Sequence, residues 1–183
     1  MSVDLEMEME SGVMMPPKEQ IDPDRYLALI QALASGGNAR AQHNLGAMYL
    51  KGLGVTRDSV RALEWFLKAG AQGEVLAQHN LGTMYLRGIG VAKDPVQAFD
   101  WFRRAALQGD ARAAHCVGAL YFEGLGVARD PVRAMIWLSR AANGVPEELR
   151  AANQQAMELA RQELDASAWA YVEERIDHPG EDD

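Results

Sequence analysis

Three histidines that recur every 36 residues are the side chains best suited to chemistry in this chain. They are His43, His79 and His115. Histidine nitrogens bind zinc at about 2.0–2.1 Å, so the ligands of one ion must converge on it. Equivalent positions on packed neighbouring helices are about 8–10 Å apart, and no HxH motif, HExxH motif or cysteine pair supplies a second ligand. We therefore expect no metal and no cofactor, and we interpret the histidines as groove-lining or packing residues.

The other candidate sites have structural explanations. The Gly-Leu-Gly-Val and Gly-Ile-Gly-Val segments lack the third glycine of a dinucleotide fingerprint and the Gly-Lys-Ser/Thr of a P-loop. No Ser-x-x-Lys or Gly-x-Ser-x-Gly motif marks a nucleophilic serine. The recurring Asp58, Asp94 and Asp130 fit helix N-caps better than acid or base catalysts, and Cys116 fits a small packing residue. We expect no catalytic residue and predict that the chain is not an enzyme.

The spacing of these residues comes from a gapless repeat of 36 residues. Its three copies are 39–74, 75–110 and 111–146, and Asp22-Pro23 continues the register upstream, so that 22–38 is half a repeat. Twelve positions are identical in all three copies; in the first copy they are Ala41, His43, Gly46, Tyr49, Gly52, Gly54, Val55, Asp58, Val60, Ala62, Trp65 and Ala69. Self-similarity at such a period is typical of solenoid proteins.

Each copy is predicted to contain two helices. In the first helix of the first copy, Ala41, Leu45 and Tyr49 recur at helical spacing, and Gly52 stands where a left-handed C-terminal residue is favoured. The second helix begins after an N-capping aspartate and directs these side chains toward its neighbours: Val60, Leu63, Trp65, Phe66 and Ala69. Gly46, Gly82 and Gly118 fall inside the first helices, where glycine costs about 1 kcal/mol relative to alanine. Their recurrence indicates helix–helix contacts too close for a Cβ.

The repeat resembles the Sel-1-like repeat, a relative of the tetratricopeptide repeat. The second copy carries the pattern as Ala77, Leu81-Gly82, Tyr85, Gly88-Ile89-Gly90-Val91, Asp94, Ala98, Trp101, Arg104-Ala105-Ala106 and Gly109. The resemblance implies an all-α, right-handed α/α superhelix of antiparallel helix pairs over 22–145. It also implies that the first helices line a concave face.

Two capping helices are predicted over 146–176. The first presents Leu149, Ala152, Ala156, Leu159 and Ala160 on one face, and the second follows Asp165 and carries Trp169, Val172 and Ile176. Terminal caps are expected because the last repeat of a solenoid otherwise exposes its core face.

The net charge of −8 comes from the two ends of the chain. Residues 1–20 hold five acids and one base, 177–183 hold four acids, and 21–176 hold 17 of each sign. We expect disordered acidic tails over 1–21 and 177–183, and a neutral body without the basic field that nucleic acid or anionic membranes require. One cysteine, no apolar run of membrane-spanning length and no signal peptide suggest a cytoplasmic protein.

The tetratricopeptide register predicts a binding surface on the first helices, here named the concave stripe. Its members are Arg40, His43, Asn44, Ala47, Leu50, Lys51, Leu76, His79, Asn80, Thr83, Leu86, Arg87, Arg112, His115, Cys116, Ala119, Phe122 and Glu123. We expect it to bind an extended, partly acidic segment of another protein as a scaffold or adaptor. The alternative is a regulatory or assembly subunit that binds a folded enzyme surface.

The sequence is compatible with two roles for the histidines. They could become charged below neutral pH and attract an acidic partner, because the usual histidine pKa is about 6.5. They could instead be neutral packing residues, in which case acid would weaken the fold.

Overall fold

The computed structural model describes residues 23–177, which form nine helices and no strand within that range. The helices are α1 (Pro23–Ser35), α2 (Ala39–Lys51), α3 (Ser59–Ala71), α4 (Val75–Arg87), α5 (Pro95–Leu107), α6 (Ala111–Glu123), α7 (Pro131–Ala141), α8 (Glu147–Gln162) and α9 (Ala166–Asp177). The pairs α2–α3, α4–α5 and α6–α7 are the three repeats, α1 is the half repeat, and α8 and α9 both pack against α7. The prediction of an all-α solenoid is confirmed. The acidic tails predicted at the two ends lie outside the described residues, apart from the last residue of α9.

Helix boundaries follow the predicted capping chemistry. The Asp58 and Asp94 carboxylates each accept two backbone N–H bonds at 3.0 Å from the first turn of α3 and α5. Gly52, Gly88 and Gly124 end the first helices with φ values of 73°, 72° and 70°, a conformation that glycine adopts without a Cβ clash. Asp165 accepts the Ala168 N–H at 2.8 Å and so begins α9 as predicted.

The glycines inside the first helices lie directly against the second helix of the same repeat. A Cβ at Gly82 would be 2.6 Å from the Phe102 ring, and one at Gly46 would be 2.8 Å from Phe66. At Gly118 the neighbour is Leu138, at 2.7 Å. These distances are too short for any real Cβ, so the predicted close helix contact is present in all three repeats.

The hydrophobic core is shared between successive repeats. One cluster joins Ala62, Phe66 and Ala69 of the first repeat to Leu81 and Trp101 of the second. The next cluster contains the equivalent positions one repeat later, among them Phe102 and Trp137, together with further buried residues of the third repeat. Each repeat therefore completes the core of the one before it.

Two predictions of inward-facing residues are wrong. Val60 is 55% exposed, and only its third-repeat equivalent, Val132, packs against the cluster that contains α9. On α8, Leu159 is 44% exposed and Ala152 is exposed, whereas Asn153 is 2% exposed. The prediction for α8 fails because one of its two buried positions carries a polar side chain, Asn153, and the other is Ala160.

Replacing Gly82 with alanine is expected to destabilise the protein by about 1–3 kcal/mol, even though alanine favours the helix by about 1 kcal/mol. The added methyl group must displace the buried Phe102 ring. Chemical denaturation measures the change. Gly36→Ala is the control, because a Cβ there meets its nearest atom at an ordinary 3.4 Å; equal stability of the two variants would refute the close contact.

Replacing Trp101 with alanine is expected to cost about 3–5 kcal/mol, the usual effect of emptying an aromatic core site. Trp101 is 8% exposed and packs against the preceding repeat. The exposed Tyr171 provides a control, since Tyr171→Ala should change the unfolding free energy by about 0.5 kcal/mol or less. An unfolding midpoint of Trp101→Ala close to that of the unmodified protein would contradict this packing.

Candidate interaction surface

The concave stripe lies on α2, α4 and α6, and most of its members are half-buried. Its exposed members are Arg40, Lys51, Leu76, Arg87 and Glu123. The half-buried members are His43, Asn44, Ala47, Leu50, His79, Asn80, Thr83, Leu86, Arg112, His115, Cys116, Ala119 and Phe122. Equivalent positions on the three helices thus form rows of accessible apolar and amide side chains, and charged residues lie at the ends of the helices.

Hydrogen bonds between histidine and asparagine connect successive repeats along this surface. Asn80 Nδ2 donates to His43 Nε2 at 3.2 Å, and His43 Nδ1 lies 3.3 Å from Asn44 Oδ1, so His43 carries its proton on Nδ1. His115 Nδ1 donates in the same way to Asn153 Oδ1 at 2.9 Å. Asn153 Nδ2 also donates to the Leu138 carbonyl at 3.1 Å. These bonds join α2 to α4 and α6 to the capping helix α8, and they restrict the side chains that form them.

The middle histidine has no such link. Cys116 replaces the asparagine that would face His79, and His79 Nδ1 is buried without a hydrogen-bond partner among the described residues. Its nearest charge is Asp110, at 3.8 Å. Burial raises the pKa of the Cys116 thiol to about 11, so the thiol stays protonated and unreactive at neutral pH. The prediction that Cys116 is a packing residue agrees with this environment.

Two of the histidine rings pack against the aromatic residues that contact the mid-helix glycines. His43 and Phe66 have ring centroids 5.6 Å apart, and His79 meets Phe102 edge to face at 5.5 Å. Burial lowers the pKa of both histidines. The hydrogen bond that His43 donates to Asn44 opposes the shift at His43, and the charge of Asp110 opposes it at His79. The geometry therefore favours the second of the two roles left open, that of neutral packing residues.

A set of buried glutamines was not recognised from the sequence. Gln42 Nε2 donates to the Ala34 carbonyl at 3.1 Å, and Gln72 Nε2 donates to Gln42 Oε1 at 2.7 Å. One repeat later, Gln78 donates to Gly70 at 3.1 Å and Gln108 to Gln78 at 2.8 Å. Gln72 and Gln108 are exposed, and only Gln42 and Gln78 are buried. The recurrence of both pairs at 36 residues is visible in the sequence, but polarity alone does not indicate which member of a pair is buried. Asn153 was missed for the same reason.

The cations of the stripe differ in their environment. Arg112 Nη2 lies 3.3 Å from Asp110 Oδ2, which neutralises it locally. Lys51 and Arg87 are exposed at the C-terminal ends of α2 and α4, and Glu123 occupies their position on α6. Within the chain, His43 and Asn80 bind each other and Arg112 binds Asp110. Within the described range, no three His, Cys, Asp or Glu side chains come together as a metal site would require.

The chain belongs to the Sel1 repeat family. The family model described as Sel1 repeat matches residues 39–74, 75–110 and 111–144. A Sel1 repeat protein from Oxalobacter formigenes has a similar solved structure, with 36% identity and a TM-score of 0.65 over 72% of this chain and 98% of that chain.

Larger proteins share part of this architecture. The protective antigen c5321 of uropathogenic Escherichia coli, which has an SLR fold, is 36% identical with a TM-score of 0.73. The similarity covers 85% of this chain but 32% of that protein. The Arabidopsis thaliana protein HRD3A, an ERAD-associated E3 ubiquitin-protein ligase component, is 40% identical over 58 residues, which are 31% of this chain and 9% of HRD3A. The chain thus spans about a tenth of that curated relative.

Sel1 repeats mediate protein–protein interaction, and this is the general function that family membership supports. None of the helices in the described range has the length and apolar character needed to cross a membrane.

The lowered pKa values of His43 and His79 predict a loss of stability in acid. Between the folded-state pKa and the unfolded value of about 6.5, the unfolded chain binds more protons, so the free energy of unfolding falls as pH falls. Denaturation at pH 7.5 and pH 5.5 should show this loss, and a His43→Gln/His79→Gln double variant should lose less. An identical loss in the two proteins would mean that these histidines do not contribute to the acid sensitivity.

Proposed function

We propose that the protein is an adaptor that binds an extended segment of a partner protein along the concave stripe. The observation that carries this proposal is the set of aligned, half-buried side chains on α2, α4 and α6, of which His43 on α2 is bonded to Asn80 on α4 and His115 on α6 is bonded to Asn153 on α8. A surface that is already ordered loses little conformational entropy when it binds. Partly exposed apolar groups remain available for contact.

The apolar row of the stripe suggests the spacing of the partner's own apolar residues. Leu50, Leu86 and Phe122 occupy equivalent positions and are half-buried. Equivalent positions of successive repeats lie at least one helix spacing apart, which is about 8–10 Å, and an extended chain advances about 3.3 Å per residue. A segment whose apolar side chains are three or more residues apart would therefore match the row.

The charges at the ends of the helices favour acidic residues in that segment. Lys51 and Arg87 are exposed, and opposite charges across an interface steer encounter and fix register. His43 and His79 add little positive charge at neutral pH, because burial lowers their pKa values. The acidic preference is consequently assigned to the lysine and the arginine rather than to the histidines.

A second candidate is a subunit that docks on a folded enzyme surface. Val60 and Val96 support it, because they are 55% and 54% exposed at equivalent positions at the start of α3 and α5, outside the stripe. A folded partner could contact these second helices over a broad area. Photo-crosslinkers placed at Thr83 in one sample and at Val96 in another identify which face contacts the co-purified partner.

Charge reversal at the exposed end of the stripe tests the adaptor proposal. The double variant Lys51→Glu/Arg87→Glu gives all three repeats a glutamate at that position. We expect binding of the co-purified partner, measured by calorimetry, to weaken at least about tenfold, or about 1.4 kcal/mol. The matched control is Arg57→Glu/Lys93→Glu, which makes the same change of charge on exposed loop residues. Equal affinities of the two double variants would refute binding along the stripe.

A further inference from the structure

A cavity of about 300 Å³ lies between the second and third repeats. Its walls are formed by Ala106 and Leu107 at the end of α5, Asp110 and Ala114 at the start of α6, and Trp137 and Arg140 of α7. Leu107 is 56% exposed at this position, while Trp137 is 1% exposed and Ala114 is 4% exposed. The cavity therefore runs from the protein surface to the core.

The equivalent space between the first and second repeats is filled by two glutamine side chains. The equivalent residues one repeat earlier are Gly70, Gln78 and Trp101, and they lie together at the interface between the first and second repeats. Gln78 occupies the interior and donates to the Gly70 carbonyl, and Gln108 donates to Gln78 from the outer side. Gln42 and Gln72 are arranged in the same way one interface earlier.

The third copy lacks both glutamines. Ala114 stands at the position of Gln78, and Gly144 stands at the position of Gln108. The acceptor remains, because the Ala106 carbonyl takes the place of the Gly70 carbonyl. Both carbonyls accept one backbone N–H, from Gly109 and Gly73 respectively, and a carbonyl oxygen has two lone pairs. The cavity therefore keeps the carbonyl acceptor but lacks the glutamine side chain that binds the equivalent acceptor one repeat earlier.

We propose that this cavity receives the side-chain amide of a glutamine supplied by the protein partner. This inference rests on the proposed function, because a partner protein must supply the glutamine. The glutamine side chain enters the cavity beside Leu107. The amide NH2 donates to the Ala106 carbonyl as Gln78 does at Gly70. The methylene groups lie between Ala114 and the Trp137 indole, as those of Gln78 lie beside Trp101.

Polar walls favour an amide over an apolar side chain. The Asp110 carboxylate and the Arg140 guanidinium both line the cavity, and the guanidinium carbon lies 4.9 Å from the centroid of the Trp137 ring. An amide offers both a donor and an acceptor to this polar lining, whereas an apolar side chain offers neither.

Titration of the full chain with N-acetylglutamine N-methylamide tests the proposal. The probe is followed through the indole N–H resonances of the four tryptophans in ¹⁵N-labelled protein, with Trp137 assigned by a Trp137→Phe variant. We expect a saturable shift of the Trp137 resonance at millimolar probe. The equally long methionine analogue should give a weaker shift. An absent shift, or an equal or stronger response to the methionine analogue, would overturn the proposal.

Two matched variants separate the cavity from the rest of the surface. Ala114→Gln should refill it, raise the melting temperature and abolish the Trp137 shift; persistence of the shift would overturn the assignment. Gln78→Ala/Gln108→Gly should open an equivalent second cavity, so that the Trp101 resonance also shifts with the probe; an unchanged Trp101 resonance would overturn the proposal. If the probe fails while Lys51→Glu/Arg87→Glu still weakens partner binding, the glutamine site is refuted and the adaptor function stands.

Discussion

Direct contact between a mid-helix glycine and the second helix of its repeat is the constraint on which the rest of the structure depends. Gly46 and Gly82 allow the rings of Phe66 and Phe102 to approach more closely than any Cβ would permit. Each glycine lies three residues after a histidine, so the same ring also contacts that histidine. The glycine thereby determines the tilt of the helix pair, and it also determines the burial that lowers the histidine pKa. One steric feature accounts for both the architecture and the electrostatics of the stripe.

Polar links between repeats determine how the stacked units present a surface. Both kinds of link, the histidine–asparagine bond and the glutamine pair, are interrupted on α6, where Cys116 and Ala114 replace an asparagine and a glutamine. Exchange of a buried polar pair for apolar groups can be nearly neutral for stability. The largest apolar cluster spans this same interface, with Phe102, Tyr121 and Trp137 among its members. The third repeat can therefore lose polar links, and gain a cavity, without loss of the fold.

The proposed binding mode follows from rigidity more than from charge. Residues 21–176 carry equal numbers of acids and bases, so no long-range field selects a partner. Specificity must come from aligned short-range contacts, which require that each side chain keep its position. Hydrogen bonds provide this order for His43 and Asn80, which join two repeats, and for His115 and Asn153, which join the third repeat to α8. Lys51 and Arg87 then add a local preference at the ends of the helices.

The sequence by itself determined the repeat length, the helix pairs, the capping aspartates and the close glycine contacts. These are local or strictly periodic features, in which a backbone requirement selects one residue type at one position. Only the tertiary structure decided which polar side chains are buried, because Gln42, Gln78 and Asn153 become satisfied through acceptors on neighbouring elements. It also decided that Val60 is exposed while Val132 is covered, since α9 packs only at one end of the array. Periodicity predicts equivalent positions, but the packing partner of each position depends on what lies next to it in space.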